Sequence, residues 1–220
     1  AGGKKAREIG GRGAVLLQNN GALPLSDKLT SLVLIGKASQ VYAQQAVAGG
    51  AVVGEPMGSG GGSSDVVPNY TVSPVDGLRN SLAQTASVKL ILVDDANATA
   101  TIDGRKVSFA DALAEAAKAQ AVVMMAGTIA EEGADRATFT DASGHYLAGS
   151  AALGSSLDWY AGRSNVIATT GEKNTARNSG TTAMIDAILA ARSSSGKPMA
   201  AKSVLVLKDN AGVSLPQDRK

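Results

Sequence analysis

Residues 121–127, AVVMMAG, constrain this chain more than any other segment. A strand with one wet face alternates apolar and polar side chains, whereas a strand buried on both faces reads as a continuous apolar run. The segment therefore predicts a buried strand of a parallel sheet. It runs directly into TIAEEGADR at 128–136, and loops beyond the carboxyl ends of such strands are where open α/β sheets hold their ligands. On that reading Glu131, Glu132, Asp135 and Arg136 stand at a site. The competing reading is a solvated loop in which Asp135 and Arg136 form a surface ion pair.

The rest of the chain supplies an alternation of helix and strand around that segment. Short apolar runs predict strands at 32–35, closed by Gly36, at 88–93, and at 203–207. A serine N-cap followed by proline opens a helix over 73–82. Ser108 caps a second over 108–118, with Asp111 in its first turn, and a third spans 181–191. A helix within 4–18 is weakened by Gly10, Gly11 and Gly13 and needs tertiary support. Residues 41–53 fit helix or strand, with helix slightly ahead. This order predicts an α/β fold, an open, mostly parallel sheet with helices on both faces in flavodoxin-like layering.

Two stretches interrupt the pattern. GSGGGSSD at 58–65 is too rich in glycine for a regular element and is read as a loop, either a surface connection or a ligand cradle. The strand-before, helix-after context of a dinucleotide fingerprint is missing, because residues 66–72 follow with Pro68 among them. Residues 137–178 form a polar loop region holding His145, Tyr146, Trp159 and Tyr160, most of the aromatic inventory of the chain. Loops of that length are functional or mobile, and Trp159 serves either as a packing anchor or as a stacking surface for a sugar.

Composition narrows the function classes. With 220 residues and a 44% hydrophobic share the chain suits a core-forming fold, here read as a single α/β domain over 1–220. No apolar run approaches the ~20 residues that span a bilayer. A net charge of +2 without a basic stripe argues against nucleic acid as a partner. Zero cysteines remove thiolate metal sites and cysteine nucleophiles, and a lone histidine disfavours histidine-based metal centres and relays. No cofactor is expected. The compartment stays open between secreted or periplasmic and cytoplasmic.

Four segments, taken in order, resemble the C-terminal α/β sandwich domain of glycoside hydrolase family 3, the β-glucosidase and β-xylosidase group. AREIGGRGAVLLQNNGALPL at 6–25 is similar to the family's opening helix and turn, and GSGGGSSDVVPNYTVSPVDGLR at 58–79 to its glycine-rich segment and following helix. AVVMMAGTIAEEGADR at 121–136 resembles the strand and loop that end in Glu-Gly-x-Asp-Arg, and VLVLKDNAGVSLP at 204–216 a later strand and its loop. The order of these segments is more specific than any one of them.

The resemblance implies the second domain of a larger retaining β-glycosidase, whose nucleophilic aspartate lies on an N-terminal barrel absent from this chain. It implies that Glu132 is the acid/base, with Glu131, Asp135 and Arg136 in support. The substrate is then a β-linked glucoside or oligosaccharide, with Trp159, Tyr160 and Tyr146 as candidate sugar contacts, and the isolated chain is expected to be inactive. Asp158-Trp159 is similar to the dipeptide around the family nucleophile, but a nucleophile belongs to its barrel. Two alternatives stand beside this reading: a non-catalytic carbohydrate-binding or structural module, and a flavodoxin-like nucleotide-binding protein.

Overall fold

The computed structural model describes residues 2–36, 44–45, 51–52, 70, 72–82, 84–94, 99–127 and 177–208. Its centre is a six-stranded sheet. In chain order the strands are β1 (Ser31–Ile35), β4 (Ser87–Asp94), β5 (Thr99–Ile102), β6 (Arg105–Ser108), β7 (Ala121–Gly127) and β8 (Ser203–Lys208). A separate antiparallel pair, β2 (Gln44–Gln45) and β3 (Ala51–Val52), occupies the segment that sequence reads slightly in favour of helix.

The sheet order is β6-β5-β4-β1-β7-β8. β1 pairs in parallel with β4 and β7, and β7 pairs in parallel with β8. β5 and β6 complete one edge as an antiparallel hairpin on β4. The expected α/β class, with a mostly parallel sheet, is thus what the chain adopts. The expected central position of 122–125 also holds, since β7 lies between β1 and β8. Val122 and Met124 are at most 1% exposed.

Continuous apolar sequence follows from burial on both faces. Leu32 and Leu34 of β1 and Ala121, Val123 and Met125 of β7 belong to one core cluster. Val33, Ile35, Val122, Met124 and Ala126, the intervening residues of the same strands, belong to the other. α2 (Pro74–Leu82) covers the first face through Val75, Leu78 and Leu82. α3 (Phe109–Lys118) and α4 (Arg177–Ala190) cover the second, through Ala112 and Ala116 and through Met184, Ile185 and Ile188. Each fully buried aliphatic side chain contributes ~1.5–3 kcal/mol relative to exposure, so this double layer is the main source of stability.

The caps form as the serines predict. The Ser73 hydroxyl accepts from the Asp76 N–H at 3.1 Å and donates to its carboxylate at 2.6 Å. Ser108 does the same with Asp111, at 3.0 and 2.7 Å. α1 (Gly2–Gly13) ends earlier than its apolar spacing suggests and has no buried residue. Ion pairs from Glu8 to Lys5 and Arg12 lie along its surface. No helix of the described residues is long and apolar enough to cross a membrane.

Candidate functional site at the carboxyl rim

The connections divide around β1 and β7. The chain leaving β1 goes to α2 on one face, and the chain leaving β7 goes to α4 on the other. Adjacent parallel strands whose onward connections part to opposite faces define a topological switch point, where open α/β sheets form their ligand crevices. The carboxyl ends of β1 and β7 are that point.

Strand lengths sharpen the rim. Ile35, the last residue of β1, lies opposite Ile91 of β4 and Met124 of β7. β4 continues to Asp94 on the support of β5, and β7 continues to Gly127 on the support of β8. Among the described residues, pairing along β1 therefore stops three residues short of both neighbours. At ~3.3 Å per residue this offsets the described strand ends by about 10 Å, a step among the described residues.

Gly36 lies at the foot of the step. Its N–H donates to the Ile91 carbonyl at 3.0 Å, and its φ of +119° lies where L side chains rarely go. A Cβ added there would meet the Met125 carbonyl oxygen at 2.2 Å. Only a glycine lets the two backbones come this close. Sequence reading saw Gly36 as a strand stop, and its apposition to β7 could not be read without the register.

The acidic segment follows β7 in sequence at this rim. Glu131 and Glu132 are the fourth and fifth residues after Gly127. Glu131, Glu132, Asp135, Arg136, Tyr146, Trp159 and Tyr160 lie outside the described residues, as does the glycine-rich stretch 58–65. Among the described residues no group of three His, Cys, Asp or Glu side chains stands together as a metal site.

The opposite rim carries a cavity of about 410 Å³, lined by Gly21, Pro24, Leu29, Gln120 and Lys202 among others. It offers little chemistry. Lys202 Nζ donates to the carbonyls of Ala117, at 2.8 Å, and Ala119, so its ammonium closes the end of α3, where a cation is favoured by the exposed carbonyls. Burial pushes its pKa down. Among the described residues no carboxylate lines this cavity.

The profile of the Glycosyl hydrolase family 3 C-terminal domain matches residues 14–217. A protein described as "Beta-glucosidase" from Rhizobium radiobacter is 36% identical over 83 residues. That stretch is 38% of this chain and only 9% of the relative's length.

Proposed function

The chain belongs to the family of glycosyl hydrolase family 3 C-terminal domains, and from that premise we propose that it serves a retaining β-glycosidase as the domain carrying the general acid/base, Glu132. The observation that carries the reading is the coincidence of the family match with the topology: the Glu-Gly-x-Asp-Arg segment follows the strand that ends at the switch point. Five residues of chain span at most ~18 Å, which bounds how far Glu132 can lie from the end of β7 and supports the reading.

The chemistry needs two carboxyl groups. A nucleophilic carboxylate from an N-terminal barrel attacks the anomeric carbon, while Glu132 gives its proton to the departing glycosidic oxygen. In the second step Glu132 takes a proton from water as that water displaces the enzyme carboxylate. Retention places the two groups ~5–5.5 Å apart. A general acid at neutral pH needs a raised pKa, which a neighbouring negative charge supplies, and Glu131 is the nearest candidate in sequence. Asp135 and Arg136 orient the segment. Trp159, Tyr160 and Tyr146 offer stacking faces for the sugar. The substrate is a β-linked glucoside or oligosaccharide, no cofactor enters the cycle, and the domain without its barrel turns nothing over.

Substituting Glu132→Gln in the full-length protein tests this. Turnover of substrates with poor leaving groups is expected to fall by at least ~100-fold, with a smaller loss on activated aryl glycosides, whose departing oxygen barely needs a proton. Glu131→Gln is expected to move the pH optimum more than the maximal rate. Near-normal rates for Glu132→Gln on the poor leaving group would remove Glu132 from the role.

A further inference from the structure

We propose that α1, the strap 15–17 behind it and the approach to α2 at Tyr70 and Val72 are the seat of the N-terminal catalytic domain of the same polypeptide; this rests on the reading above that such a domain exists in the full-length protein. Seven large hydrophobic side chains stand exposed among the described residues, and six of them, Ile9, Val15, Leu16, Leu17, Tyr70 and Val72, fall in these two short segments. The segments meet at Gly3 of α1, where an added Cβ would run into the Tyr70 hydroxyl. Exposed apolar side chains concentrated in this way mark a place where another surface lands.

α1 has little means of standing on its own. Five of its twelve residues are glycine and none is buried, and a helix so short and so rich in glycine is unstable in water without support. Gly2, Ala6, Ile9, Gly10 and Gly13 share one side by their three- and four-residue spacing, and the four cations and one carboxylate of the helix take the other. The strap then adds Val15, Leu16 and Leu17, at 78%, 66% and 78% exposure. A complementary surface is apolar where it meets this side and edged with carboxylates where it meets the excess of cations.

Two observations select the N-terminal domain as the occupant. The family match begins at residue 14, so α1 lies ahead of a domain that is C-terminal in its family. The chain's direction is the second. The Leu82 carbonyl that closes α2 accepts from the Ala86 N–H at 2.8 Å, one residue before β4 starts at the amino rim, so the opposite end of α2 points to the carboxyl rim. Tyr70 is three residues ahead of the Ser73 cap at that end, and the start of α1 lies against it. Gly21 lines the cavity at the amino rim. α1 and the strap therefore run from the carboxyl-rim side of the domain to its amino rim, and a domain attached ahead of α1 joins on the side where a retaining mechanism needs two carboxyl groups ~5–5.5 Å apart. Covalent attachment raises the effective concentration of the two surfaces, so a modest apolar face is enough to hold them together.

The test is made in the full-length protein, with Leu17 replaced by the photoreactive p-benzoylphenylalanine and the cross-linked peptides identified after irradiation. Cross-links to peptides of the N-terminal domain are expected. Cross-links confined to residues 37–69, 128–176 or 209–220 of this chain, or to a second copy, would overturn the proposal, as would the absence of any cross-link. A kinetic arm accompanies it. Leu16→Asp with Leu17→Asp is expected to lower kcat/KM roughly 10- to 100-fold on a nitrophenyl and an alkyl β-glucoside alike, because parting the domains misplaces the whole site, whereas Gln84→Asp, in an exposed turn, should stay within about 2-fold of the parent. Unchanged rates in the double variant overturn the proposal. Glu132→Gln separates the two claims: normal rates on the alkyl glucoside sink the acid/base assignment and leave the cross-link to the N-terminal domain standing.

Discussion

At its amino-terminal rim the sheet is laced by hydrogen bonds between residues far apart in sequence, whereas at the carboxyl-terminal rim the strands end at different heights around a single glycine. Gln120 accepts from the Thr30 N–H at 2.7 Å and from its hydroxyl at 3.1 Å, across 90 residues of chain. The Ser87 N–H donates to the Thr30 carbonyl at 3.0 Å, and Lys202 ties the approach to β8 to the end of α3. Midway along β4, Asp103, in the turn between β5 and β6, accepts from the Leu90 N–H at 3.0 Å and from Arg79 at 2.9 Å. These polar groups are spent on each other. The other rim has the uneven strand ends, the close backbone approach at Gly36, and the departure of the acidic segment. One end of the sheet holds the strands in register, and the other, on the function proposed above, positions chemistry.

That division can be broken by substitution. The largest stability loss is expected for Gly36→Ala, about 3 kcal/mol from backbone strain and overpacking together, read from the denaturant midpoint. A variant as stable as the parent would mean that the rim is pliable there. Asp103→Ala is expected to cost about 2 kcal/mol, because it strands the Leu90 N–H and removes a residue type suited to the φ of 45° at that position. Asp103→Asn keeps both of those and loses only the ion pair with Arg79, whose partners are 44% and 45% exposed, so its cost should stay below ~1 kcal/mol. Lys202→Met should cost about 1 kcal/mol through the uncapped carbonyls of α3. None of these Asp103 and Lys202 variants, away from the carboxyl rim, is expected to alter the preference between leaving groups. A shift in that preference would erase the distinction between the rims.

The smallest effect is a pH limb. Hydrogen bonds from Lys89 and then Lys118 hold the Glu115 carboxyl down at about 2, against an ordinary value of 4.5, and outweigh its burial. A depressed carboxylate stabilises the fold above its unfolded pKa and loses that contribution as pH falls from about 4.5 through about 2. Glu115→Gln should flatten this part of the stability profile, as measured by denaturant midpoints at about pH 5 and about pH 2.5. An unchanged slope would assign the acid limb to other carboxylates.

Local chemistry made much of this fold legible in sequence. β1, β4, β7 and β8 announced themselves as apolar runs; in β1 and β7 burial on both faces removes any need for alternation, whereas β8, at the sheet edge, stays apolar while only half-buried, with Val206 exposed. Ser73 and Ser108 marked their helices because an N-cap acts within one turn. The β5–β6 hairpin escaped notice, since Thr99–Ile102 and Arg105–Ser108 are short strands with exposed polar positions. The Asp103-Gly104 dipeptide between them was the available signal. α4 begins at Arg177, four residues ahead of its expected start. The step at Gly36 depends on the register of three strands distant in sequence, so the acidic segment was visible from residues 128–136 and the backbone contact beneath it was not.

The central claim is that the carboxyl rim delivers Glu132 as the acid/base of a retaining glycosidase, and azide rescue tests it most directly. In the full-length protein, Glu132→Ala should hydrolyse an activated aryl β-glucoside slowly, because the glycosyl-enzyme forms but water is no longer deprotonated. Azide needs no base, can occupy the space left by the carboxylate, and displaces the enzyme's nucleophile from the anomeric carbon. The account predicts that added azide restores turnover severalfold or more and that the product is the β-glucosyl azide. Turnover indifferent to azide, or an α-configured product, would contradict it.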